Sequence, residues 1–217
     1  MTTTVDIAFL PDPTPCEIPS ANAPSVPSVP SVPSLPPPIS NPPISNPPIP
    51  LARARKIADH VVDALRPFCH DIAIAGSIRR GRPTCGDIDL VILPRDRDGL
   101  IARIRQSCTI KSSGDLNTIA VMRDGTQLDI FCARPAGRDL FTVSPGTWGT
   151  LLLCRTGSKQ FNVWFADQAK ARGFHWNPYR GICRGGSLTG DVIASETEDD
   201  MFQALNLDFI LPEDREQ

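Results

Sequence analysis

Long apolar runs are missing from this chain. None approaches the ~20 residues needed to cross a bilayer, which excludes a helical membrane span. No basic stretch precedes an apolar core at the N-terminus, so a secretory leader is not expected. The seven cysteines form no Cys-x-x-Cys pair, and His60, His70 and His175 do not join them at zinc-ligand spacing. Reduced thiols in a soluble, intracellular protein are the expectation (cytoplasm in a prokaryote or virus, nucleus in a eukaryote). Basic excess is also missing. Residues 1–50 hold Asp6, Asp12 and Glu17 but no Lys or Arg, and the remainder has 22 basic against 21 acidic residues. A nucleic-acid partner would have to be held by local clusters rather than by net charge.

Proline is abundant instead, and unevenly placed: of 23 prolines, 16 lie in residues 1–50. Ser-Val-Pro recurs at 25–27, 28–30 and 31–33, and Ile-Ser-Asn-Pro-Pro at 39–43 and 44–48. Proline fixes φ and removes an amide donor, so this stretch builds neither a helix nor a central strand. It reads as a disordered, extended tail over 1–50, serving as a spacer or as a docking segment for a protein partner with an aromatic groove.

From Leu51 the pattern changes. Ala54, Ile57, Ala58, Val61, Val62 and Leu65 recur at helical steps, with Pro67 beyond. Residues 71–75 and 87–93 read as strands, and 100–106 as a helix. Residues 117–122 and 127–132 read as two strands joined by Asp124-Gly125, a type I′ hairpin signal. Strands alternating with helices predict a mixed sheet with flanking helices over 51–143. A second, smaller unit is expected over 144–217. It has a helix at 148–153, a break at Thr156-Gly157-Ser158 and a helix over 161–171 closed by Gly173. Short β-prone pieces follow over 174–193, then a capping box from Ser195 to Glu198 that opens a last helix. The fold class is α+β.

Two aspartates, Asp87 and Asp89, stand two apart on the 87–93 strand, which puts both carboxylates on one face. Asp129, on the 127–132 strand, can complete a cluster. Carboxylates packed that closely repel one another unless a cation sits among them. An all-oxygen set suits magnesium, which usually takes a few carboxylates plus substrate phosphates. Gly76-Ser77, just ahead, offers backbone N–H groups and a hydroxyl to phosphate oxygens. Together with Arg79, Arg80 and Arg82 this points to phosphoryl-type transfer from a nucleoside triphosphate.

Gly76-Ser77, Arg79-Arg80-Gly81 and Gly86-Asp87-Ile88-Asp89 resemble the signature of the nucleotidyltransferase superfamily. Leu128-Asp129-Ile130, Thr156-Gly157-Ser158, Phe161-Asn162, Arg172-Gly173-Phe174, the 195–207 segment and Pro212-Glu-Asp-Arg215 follow in order. This ordered set resembles the palm and thumb of X-family DNA polymerases over nearly all of residues 51–217. The resemblance implies two Mg²⁺ ions, with Mn²⁺ as a substitute, held by Asp87, Asp89 and Asp129. It implies triphosphate contacts from Ser77 and Arg80, backbone approach at Gly76 and Gly86, a sugar beside Gly157, and a minor-groove contact from Asn162. The implied partners are gapped or primer-template DNA and dNTPs, with the protein a monomer.

Three departures stand out. Nothing before residue 51 resembles the family's lyase domain or its helix-hairpin-helix motifs, so that activity is not expected. Cys154-Arg155 replaces an aromatic pair ahead of the Thr-Gly-Ser turn, which opens the site to ribonucleotides. Val163 and Ala166 stand where basic residues would face a template. The leading reading is a short-gap-filling repair polymerase. The alternatives are an untemplated terminal nucleotidyltransferase acting on DNA or RNA ends, and a non-enzymatic DNA-end or partner-binding module.

Overall fold

A computed structural model describes residues 48–138, 143–185 and 190–216. The proline-rich stretch to residue 47, and the expectations placed on it, lie outside the described residues. The described residues begin slightly ahead of the boundary expected at Leu51. Strand β1 (Ile49–Pro50) pairs with β3 (Thr84–Cys85), an edge position that tolerates proline's missing N–H. Helix α1 (Leu51–Leu65) buries Ala54, Ala58, Val62 and Leu65, a single stripe at helical spacing.

The chain then runs through β2 (Cys69–Ile74), the one-turn helix α2 (Gly76–Arg79), β3, β4 (Ile88–Pro94) and α3 (Arg97–Arg105). Three strands follow: β5 (Cys108–Ser113), β6 (Asn117–Met122) and β7 (Gln127–Cys132). The sheet order is β2-β4-β7-β6-β5, with β4 and β7 parallel and every other pair antiparallel. The sequence reading omits β5. It is an exposed edge strand whose Lys111-Ser112-Ser113 end lacks apolar alternation.

The 123–126 turn differs from the expected type I′. Only Gly125 has positive φ (+87°), and Asp124 Oδ1 accepts from the Thr126 amide at 3.0 Å. A type I′ turn needs positive φ at both central residues; one αL glycine after a type I turn gives the longer, bulged hairpin.

Strands β4 and β7 are covered on both sides. Ile88, Leu90, Ile92, Leu128 and Ile130 pack beneath α1 and α3. On the opposite face Val91 and Phe131 meet Leu151 and Leu152 of α4 (Trp148–Thr156). Period-2 alternation thus sends Asp89 and Asp129 to the α4 side.

Two short strands, β8 (Gly137–Arg138) and β9 (Val143–Ser144), lead into α4. Beyond it lie α5 (Lys159–Ala171), the meander β10 (Phe174–Asn177), β11 (Gly181–Arg184) and β12 (Val192–Ala194), and α6 (Glu198–Ala204). Their core is aromatic: the Phe165 ring lies 5.1 Å from Trp176 and 5.3 Å from Phe202, both edge-on. Gly149 lets α4 approach the 195–197 segment, since a Cβ there would come 2.2 Å from the Thr197 carbonyl carbon. The capping residue of α6 is Thr197, whose hydroxyl accepts from the Asp200 amide at 3.0 Å, rather than Ser195. The Ser195 hydroxyl instead donates to Gly146 O at 2.6 Å, and Glu198 is committed to arginines. No helix among the described residues is long and apolar enough to cross a membrane, and the six described cysteines are free thiols.

Candidate active site

Parallel pairing of β4 with β7 sets Asp89 directly opposite Asp129. Asp87 is not on the strand, as the sequence reading has it, but in the bend just before Ile88. It still converges: one carboxylate oxygen from each of Asp87, Asp89 and Asp129 lies within 4.8 Å of the others. Gln127 donates to Asp129 Oδ1 at 2.9 Å.

Burial raises the proton affinity of all three carboxyls. Asp89 is pushed up to about 8, by desolvation first and then by the charges of Asp87 and Asp129, against the opposing pull of Arg155 and Arg80. Desolvation likewise raises Asp87, opposed by Arg80, and raises Asp129, opposed by the Gln127 hydrogen bond. Three carboxylates packed this closely resist ionising together unless a cation offsets their charge. Their donor set is oxygen only, which fits a hard divalent cation rather than zinc.

These acids line a cleft of about 400 Å³, shared with Gly76, Ser77, Arg80, Arg155, Gly157 and Asn162. Gly76 is required where it stands: φ is +57°, and a Cβ would come 1.9 Å from Asp89 Oδ2. The Ser77 hydroxyl is buried without a partner. Gly157 has φ +66° and abuts Arg80 Nη1. Asn162 donates to Cys154 O at 2.8 Å, which leaves its own side-chain oxygen buried and unpaired. Gly86 does not line the cleft, and open space surrounds its missing Cβ. A second, more apolar cavity of about 420 Å³ between α1, α3 and the hairpin holds no comparable cluster.

Several contacts around the cleft escape the sequence reading. Arg79, at the end of α2, grips Glu198 with two bonds of 2.9 and 2.6 Å and also donates to Thr156 Oγ1 at 2.6 Å. Glu198 takes a further bond of 2.7 Å from Arg215, which is fully buried and ringed by Phe161, Phe202 and Phe209. Burial alone would raise Glu198, but the Arg79 and Arg215 contacts outweigh it and hold the carboxyl below its ordinary range. Arg80 donates to Thr156 O and to Glu216. Arg155 stacks over Phe131, 3.9 Å from its centroid, and donates to the Tyr179 hydroxyl at 2.6 Å.

Residues 48–127 match the family described as the DNA polymerase beta palm, and residues 151–216 match the DNA polymerase beta thumb. DNA polymerase lambda of Rattus norvegicus is 29% identical over 164 residues, covering 65% of this chain and 28% of that protein. The DNA polymerase/3'-5' exonuclease PolX of Bacillus subtilis is 28% identical over 172 residues, covering 77% of this chain and 28% of the relative. The chain thus spans under a third of the length of either. Among solved structures, Leishmania infantum polymerase beta in a ternary P/T complex aligns with TM-score 0.65 at 19% identity, covering 80% of this chain and 78% of that one.

Proposed function

Because the chain belongs to the X family of DNA polymerases, with that family's palm and thumb, we propose that it transfers a nucleotidyl group from a (d)NTP to a nucleic-acid 3′-hydroxyl, filling short gaps in DNA. The palm is taken as residues 51–143 and the thumb as 144–217. The supporting observation is the convergence of Asp87, Asp89 and Asp129 in a cleft that also carries an unpaired serine hydroxyl and an arginine.

Two Mg²⁺ ions held by the three aspartates would lower the pKa of the attacking hydroxyl and offset charge on the triphosphate; Mn²⁺ would serve in their place. The residues of the chain do the rest. Asp129 lies on the side of the attacking hydroxyl, and Gln127 fixes its carboxylate. Ser77 donates to a phosphate oxygen, and Arg80 neutralises the leaving pyrophosphate. Gly76 keeps Asp89 clear of side-chain atoms and leaves it room to ligate. Asn162 meets the nucleotide through its side-chain oxygen, and Gly157 borders the sugar. The protein acts as an intracellular monomer, with the proline-rich segment left for a protein partner.

A second reading is untemplated addition to DNA or RNA ends. It is favoured by α5, which presents an exposed Val163, 57% accessible, and Ala166 where a template strand would need basic contacts. The experiment that separates the two supplies a one-nucleotide gap opposite each template base and, in parallel, single-stranded DNA and RNA ends, with each dNTP and rNTP singly, in Mg²⁺ at low salt. Template-matched incorporation is expected, with none in EDTA. Equal incorporation regardless of template base would replace the first reading by the second, and no incorporation on any substrate would sink both.

A further inference from the structure

Four arginines near the cleft share two glutamates, on very different terms. Glu198 is 7% exposed and holds Arg79 and the fully buried Arg215. Glu216 is 29% exposed; it pairs with Arg80 and, at 3.2 Å, with the half-exposed Arg82. The first set is a closed interior network. The second is an exposed contact resting on an arginine that lines the cleft.

We infer that Glu216 is an internal stand-in for a phosphate group, holding Arg80 until an incoming nucleoside triphosphate displaces it. This rests on the functional reading above and adds to it the regulation of the same site. Three observations carry it. Arg80 reaches both ways: it lines the aspartate cleft and donates through Nε to Glu216. The Ser77 hydroxyl, in the same cleft, is buried with no acceptor, so the site keeps a donor free for an oxygen ligand while its arginine is engaged. The backbone beside Glu216 is fixed, because the Ser158 amide donates to Arg215 O at 3.2 Å and the Arg215 side chain is locked on Glu198 and Ile210 O. The carboxylate is therefore held at high effective concentration near Arg80, yet its release needs only a side-chain rotation.

Energetics favour exchange. Partly exposed ion pairs contribute little, whereas a multiply charged phosphate on a guanidinium makes stronger, charge-assisted bonds. Displacement frees Glu216 to stay with Arg82, which is more exposed and outside the cleft lining. Glu216 thus taxes anions that bind weakly and yields to a triphosphate.

The test is calorimetric titration of the full chain with dTTP, and separately with inorganic tripolyphosphate, in Mg²⁺ and without nucleic acid, so that no turnover occurs. Glu216→Gln should tighten both Kd values about twofold to fivefold. In an Arg80→Gln background the same change should have no effect. A Glu216→Gln Kd equal to or weaker than that of the unaltered chain overturns the inference, because the carboxylate would then be orienting Arg80 rather than occupying it. Failure of the unaltered chain to bind either probe at millimolar concentration overturns the functional reading along with it.

Discussion

The two walls of the cleft are built by different means. Backbone register builds the acidic wall: β4 and β7 run parallel with Asp89 opposite Asp129, and Asp87 sits one step ahead of the strand. Side chains reaching across elements build the cationic wall: Arg79 and Arg80 bridge to Thr156, Glu198 and Glu216. Register is fixed by many main-chain bonds at once, so the acids stay together even though their own charges oppose it. The cationic wall holds only while its partners are present. On the proposed function, chemistry would rest on the rigid wall, and stability and regulation on the responsive one.

The largest expected effect breaks the acidic wall. Asp129→Ala should lower primer extension on the order of 10³-fold or more. It should leave the melting temperature unchanged or higher, since one of three mutually repelling groups is gone; retained extension would remove the acids from the chemistry. The cationic wall should answer in the opposite way. Glu198→Ala strands a buried guanidinium and should cost about 3–5 kcal/mol in urea unfolding. Loss of activity without that instability would make Glu198 a participant in the reaction instead.

A pH series sharpens the contrast. The cluster's folded-state pKa values are raised, Asp89 to about 8, above the ~3.9 of an unfolded aspartate. The folded state therefore binds the extra protons. Metal-free stability is fully present below about pH 4 and declines as pH rises toward 8. Thermal melts in EDTA should fall between pH 5.5 and 8, and added Mg²⁺ or Mn²⁺ should recover more at pH 8 than at pH 5.5. Equal metal gains at both values would mean the carboxyls are already ionised without a cation. The smallest effect probes the entry to α6: Thr197→Ala removes the cap at Asp200 N and should cost about 1 kcal/mol, while Ser195→Ala acts through Gly146 instead.

The acidic wall is also the part most open to reading from sequence. β6 and β7 take the bounds that the sequence reading assigns, because buried and part-exposed positions alternate along β6 and the first four residues of β7. Asp87 and Asp89 lie together for a slightly different reason than strand alternation, since the bend before Ile88 carries the first of them. The cationic wall is nearly silent in sequence. Glu198, three residues after a serine, satisfies a capping pattern as well as it satisfies two arginines, and only tertiary contact decides between them. Arg215 sits in a polar stretch with no pattern of its own to mark it as interior, yet it is fully buried. β5 is missed because an edge strand owes its pairing to its neighbour and not to its own apolar pattern.

Parallel pairing has one more consequence. The distance between Asp89 and Asp129 is set across the sheet, by a strand spacing of ~4.8 Å. It does not depend on the length or continuity of the α3–β5–β6 connection between them. A chain severed in the exposed Gly114–Asp115 turn would carry Asp87 and Asp89 on one piece and Asp129 on the other. Neither fragment could work by itself, and mixing them should reconstitute the centre through strand complementation.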